Sequence, residues 1–281
     1  MKGLINVLRW ICAILLSIGL IVFGMVQIIS STIFNKDYVI GKLDSTNYYV
    51  NTYSQVNSDF ENYILQSGLD KSVLEDLVTV EDITKDTKLI ISNIYDGRNG
   101  EIDATHIKEK LTNNIEKSLE DKDIDSSTQK AIDKFIETIV EQYKDSILHT
   151  DAENNIFDAI YNAKKLIGKA TTISISIMGV TAIFIIASRY KKFWQNITIM
   201  GVPLVSTGVF YIFTYIFLNN NVDIKNIRFM SEAMSYSLRQ IIFGMLGKFM
   251  AVGIIMIIAG TASIIIGSMI RTRKHKHSRS H

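Results

Sequence analysis

Four stretches of this chain are apolar on every side, and one long stretch between the first two is not. Residues 10–29, 170–188, 197–218 and 249–270 supply 20, 19, 22 and 22 positions without a charged side chain. About 20 such residues are needed to cross a hydrocarbon core. A backbone in lipid must satisfy its own hydrogen bonds, so each run is expected to be a helix. The hydroxyls of the second run, Thr171, Thr172, Ser174, Ser176 and Thr181, bond readily to the preceding turn or to a neighbouring helix. Pro203 falls six residues into the third run, where a kink is expected.

Between residues 35 and 169 the apolar positions recur with a helical period. Ile107, Leu111, Ile115 and Leu119 repeat every four residues, and Ile132, Phe135, Ile136, Ile139, Val140, Tyr143 and Ile147 trace a single stripe. Ser72 with Glu75, Ser126 with Gln129 and Thr150 with Glu153 have capping-box spacing. Gly68 suits a helix end, and 96–100 reads as a turn. These signals predict helices near 47–66, 72–79, 82–95, 103–121, 126–149 and 151–188. Residues 232–247 are amphipathic and either lie on the membrane or run into the fourth span.

The predicted fold is an all-α membrane protein with four transmembrane helices and an all-helical extracytoplasmic domain between the first and second spans. Its parts are 1–34 (cytoplasmic N-terminus and first span), 35–169 (the domain), 170–270 (three spans with an outer loop at 219–248) and 271–281 (a basic cytoplasmic tail).

Charge supplies the orientation. Segments 1–9, 189–196 and 271–281 together hold ten Lys and Arg and no Asp or Glu. Residues 35–169 hold 16 basic and 26 acidic residues, a formal charge of −10. Basic residues near the spans mark the cytoplasmic side. Both termini are therefore expected inside and residues 35–169 outside, in a plasma (cytoplasmic) membrane. The whole-chain charge of +2 conceals this segregation. Arg189, Lys191, Lys192, Arg271, Arg273, Lys274 and Lys276 are candidate contacts for anionic lipid headgroups.

Chemistry is sparse. Cys12 is the lone cysteine, so neither an internal disulfide nor a thiolate cluster can form. No phosphate loop, nucleophile elbow or zinc motif occurs, and no catalytic, cofactor or metal residue is assigned. Counted from Asp96, the acidic turn places Arg98, Gly100 and Ile107 where calcium ligands would be needed. His106 and His149 read as surface residues, and Lys248 as an interfacial lysine reaching outward. With Arg9 taken as a flank, the spans contain no Asp, Glu, Lys, Arg or His, which disfavours a coupled transporter.

Small residues recur every seven positions: Ser17, Gly24 and Ser31 in the first span, Gly201 and Gly208 in the third, and Gly253, Gly260 and Gly267 in the fourth. That spacing keeps a stripe on one face of helices crossing near +20°, so these residues are the expected helix-packing positions. The functional expectation is a non-enzymatic membrane protein whose outer domain binds a protein partner, senses a signal or scaffolds a complex. It is expected to use no cofactor and no nucleic acid, and homo-oligomers are compatible with it. The alternative is an oligomeric channel or transport component.

Overall fold

The computed structural model describes residues 2–98, 102–120, 125–147, 150–188, 192–226, 228 and 231–277. Among them are nine α-helices and no strand. They are α1 (Lys2–Ser30), α2 (Lys36–Ser45), α3 (Tyr48–Ser67), α4 (Val80–Tyr95), α5 (Thr105–Ser118), α6 (Ser126–Ile147), α7 (Thr150–Ser188), α8 (Phe193–Asn221) and α9 (Glu232–His277). Four segments are long and apolar enough to cross a membrane: Gly3–Ser30, Ala159–Ser188, Phe193–Asn221 and Glu232–Arg273. Each exceeds the minimum read from the sequence, because helices continue past the apolar run while their backbone bonds remain unbroken.

The chain divides into two compact units. One comprises Met1–Phe34, Ala163–Ile227 and Ile241–His281, and carries the membrane-crossing helices. The other comprises Asn35–Asn162 and Arg228–Gln240. Helices α7 and α9 therefore contribute residues to both units.

The second unit is built by helix caps and one apolar core. The Asn35 side chain accepts the Tyr38 N–H at 3.0 Å and starts α2, a helix the sequence reading missed. Thr79 and Asp82 form a reciprocal capping box at the start of α4. The expected helix at 72–79 does not form. Asp70 instead caps a single 3-10 turn, Lys71–Leu74, after which Glu75 is extended and Asp76 is left-handed at φ 50°. Nor does Ser126 cap α6. The Asp125 carboxylate does so, accepting the Thr128 N–H at 2.7 Å. Gly68 ends α3 at φ 73°, a region glycine enters without steric cost. The box at Thr150 lies outside the described side chains.

Buried together are Phe60 and Ile64 of α3, Ile83 and Ile90 of α4, Ile107 and Leu111 of α5, and Ile139 and Tyr143 of α6. Ala233 of α9 joins the same core. Beside it Ser237 and Thr46 share a buried hydroxyl contact of 2.7 Å. The N-terminal end of α9 is thus packed into this unit's core.

Candidate functional site

In the membrane-crossing unit, α8 and α9 meet backbone to backbone. A Cβ on Gly201 would lie 2.7 Å from the Gly260 carbonyl oxygen, and one on Gly208 would lie 2.6 Å from that of Gly253. A Cβ on Gly267 would meet the Thr198 hydroxyl and lie 2.9 Å from the Trp194 carbonyl. Seven residues up α8 correspond to seven residues down α9 at every step, so the two helices run antiparallel in constant register.

The α1 stripe faces partners of another kind. Ser17 Oγ lies 2.9 Å from Ser206 Oγ. The Tyr211 hydroxyl donates to the carbonyls of Leu20 (3.0 Å) and Ile21 (2.7 Å). Its hydroxyl and ring edge fill the space that a Cβ on Gly24 would need. Ser31 accepts the Lys248 ammonium through its carbonyl (3.0 Å) and Oγ (3.3 Å). Lys248 is read from the sequence as an interfacial lysine. In the structure it is directed at the C-terminal end of α1, where the helix dipole is negative. Gly19 carried no heptad signal, yet it packs on Met178 of α7.

Arg9 requires the largest revision. It lies inside the first membrane-crossing helix rather than before it, and it is 2% exposed. Its guanidinium donates to Asn196 Oδ1 at 2.6 Å. The Asn196 amide in turn donates to the Ile186 carbonyl at 3.2 Å, in the last turn of α7. Asn196 is 1% exposed. In the sequence of this unit the sole carboxylate is Asp223, 27 residues beyond Asn196 on the far side of α8. An amide and the negative end of a helix therefore help to receive this charge. Buried cations within a membrane bundle commonly mark function.

Of the basic residues assigned to headgroups, Lys192, Arg271 and Arg273 are exposed, and the Arg271 guanidinium lies 5.5 Å from the Trp194 ring centroid. Arg189 and Lys191 lie outside the described residues. For Lys274 and Lys276 the helical backbone alone is described.

In the helical unit, His106 is not the isolated surface residue expected. Its Nε2 lies 3.7 Å from Asp86 Oδ2, its Nδ1 lies 3.2 Å from the Asp103 carbonyl, and its ring meets Tyr143 edge-on. The Tyr143 hydroxyl donates to the buried Asp86 carboxylate at 2.6 Å. Burial, and then the Asp86 carboxylate, push the Tyr143 hydroxyl far up from its ordinary value. Tyr143 is fully buried, whereas His106 keeps about a third of its side chain exposed. No group of three metal-ligating side chains occurs among the described residues. His149 lies outside them.

A trough of about 510 Å³ opens between α5 and α6. Its floor is Ile115, Leu119, Ile132, Ile136 and Val140. Lys108, Thr112 and Glu116 stand along one side, and Gln129, Asp133 and Glu137 along the other. Each row is spaced by four residues, which places it on one helix face. Sequence reasoning named the floor residues as core but missed the trough, because only packing decides which edge of an apolar stripe stays uncovered.

Comparison with protein-family models, with curated proteins and with solved structures finds no match to this chain.

Proposed function

We propose that this is a non-enzymatic integral membrane protein whose helical domain lies outside the cell and binds a partner, senses a signal or scaffolds a membrane complex. One observation carries the reading. The polar unit closes a core of its own and still keeps a ligand-sized, apolar-floored trough at its surface. Pockets of ~300–1,000 Å³ with a few polar groups are the usual size for recognition. The orientation rests on the basic short segments and on the domain's formal charge of −10.

Two measurements test it. Single cysteines at Lys117 and Arg273, in a Cys12→Ser background, are exposed to an impermeant thiol reagent. Lys117→Cys should react on intact cells and Arg273→Cys only after permeabilisation, and the reverse would remove the orientation. Photo-crosslinkers at exposed positions of the domain, in native membranes, should then give a discrete adduct from one face. Uniform absence of adducts from every face would defeat the binding role.

The second reading, an oligomeric channel or transport component, is favoured by Arg9, a charge buried among the membrane-crossing helices. Liposome flux that is present in the native protein and lost in Arg9→Gln would select it.

A further inference from the structure

We infer that the α5–α6 trough receives a basic amphipathic helix of a partner protein, an inference that rests on the binding role proposed above. Its dimensions suit that occupant. The flanking rows run over positions 108, 112 and 116 and over 129, 133 and 137. At 1.5 Å per residue each row is about 12 Å long, roughly two turns of an incoming helix. The floor is aliphatic, with Leu119 and Val140 partly exposed over the buried Ile115, Ile132 and Ile136, and it includes no aromatic or cationic side chain. Apolar anchors at i, i+3, i+4 and i+7 of a third helix would pack on such a surface, in the helix-in-groove mode.

Charge chooses the sign of the occupant. Three carboxylates, Glu116, Asp133 and Glu137, face the trough against one amine, Lys108. Lys108 begins its row, so the carboxylates dominate the middle and the far end. All four are exposed, and they can reorient to meet a partner without loss of the core. A helix flanked by Lys or Arg gains pairings along both rows, whereas one flanked by Asp or Glu sets like charges side by side. The surplus negative charge of 35–169 adds long-range steering of the same sign. An anionic lipid surface is disfavoured by the same field.

The test uses the full chain in nanodiscs of zwitterionic lipid, with empty nanodiscs as the blank. A fluorescently labelled amphipathic Leu/Lys peptide is titrated by anisotropy, beside a Leu/Glu peptide of the same pattern. Binding of the Leu/Lys peptide above the blank is expected, with little for Leu/Glu. The triple variant Glu116→Gln, Asp133→Asn, Glu137→Gln changes exposed side chains only and should keep its melting temperature. It should weaken the Leu/Lys peptide by about tenfold or more, as should high salt. Val140→Asp, at a partly exposed floor position, should abolish binding while circular dichroism shows the helical fold retained, and undiminished binding would count against the trough. Three results would each overturn the inference: no binding above the blank, equal binding of both peptides, or an unaffected triple variant. Displacement of the peptide by decyltrimethylammonium at equal potency would also overturn it, since the trough would then be a small-amphiphile site. A crosslinked adduct from a different face of the domain would keep the general binding role while removing this one.

Discussion

Gly201 and Gly260 face each other across the α8–α9 seam so closely that a Cβ on either would lie 2.7 Å from the other's carbonyl oxygen. Real Cβ atoms do not approach backbone to that distance, so any side chain there must move a whole helix. In lipid, where apolar side chains gain little by associating, such backbone contact supplies much of the packing.

Gly260→Leu is therefore expected to destabilise the detergent-solubilised protein by about 2 kcal/mol or more. Gly260→Ala should show a smaller loss of the same sign. Ile258, 64% exposed, provides the control, and Ile258→Leu should change little. Thermal unfolding followed by size-exclusion or fluorescence reads the difference. Equal melting temperatures for Gly260→Leu and Ile258→Leu would contradict the seam.

The Arg9–Asn196 bond should behave as a buried charge and its acceptor. Asn196→Leu removes one acceptor of the buried guanidinium, at a cost of about 1.5–3 kcal/mol. Arg9→Met removes the charge and should cost less. The double variant should be more stable than Asn196→Leu alone, which a double-mutant cycle measures directly. Simple additivity of the two single losses would show that the pair is not coupled.

Tyr143→Phe deletes the hydroxyl that donates 2.6 Å to buried Asp86. The expected loss is about 1.5–3 kcal/mol, the range for a hydrogen bond to a charged group. Asp86→Asn keeps an acceptor for Tyr143 and should lose less. Chemical denaturation followed at the helical signal would order the two, and a greater loss for Asp86→Asn would refute the arrangement.

Stability should fall at both ends of the pH scale. Burial holds the Tyr95 hydroxyl up at about 12 and raises Tyr143 further. The folded state keeps protons that an unfolded tyrosine releases above about 10. Stability is therefore full below about 10 and declines as pH climbs toward 12. On the acid side, the Thr128 side chain and backbone, with Ser127, hold Asp125 down at about 2. Hydrogen bonds from Thr105 lower Asp103. That contribution is present above about 4 and is lost as pH drops through about 2. Melting temperatures between pH 9 and 11 that do not change would contradict the alkaline limb, which Tyr143→Phe should flatten.

The heptad glycines were legible as a pattern, but their partners were not. Gly201 and Gly260 are 59 residues apart, and periodicity within one helix does not name the facing residue. Arg9 illustrates the opposite case. A charge at the edge of an apolar run reads as a flank when hydropathy alone is weighed, and only Asn196, 187 positions away, gives it an interior site. His106 looked isolated for the same reason, since Asp86 and Tyr143 approach it from two other helices. The error at 72–79 was local. Asp70 and Ser72 both have capping chemistry, and the cap at Asp70 produced a single 3-10 turn in place of a helix.

Four membrane-crossing helices and an all-helical polar unit followed from the sequence by itself. Both depend on quantities read within about 20 consecutive residues: apolar length, period and caps. Tertiary structure alone decided that α8 and α9 share a constant glycine register, that Arg9 is buried against Asn196, and that Asp86 lies beneath Tyr143 and His106. It also decided that the α5–α6 stripe leaves a trough. Each of these is a meeting of residues distant in the chain, fixed by which faces pack and how closely the backbones can approach, and that closeness is set by side chains on both partners at once.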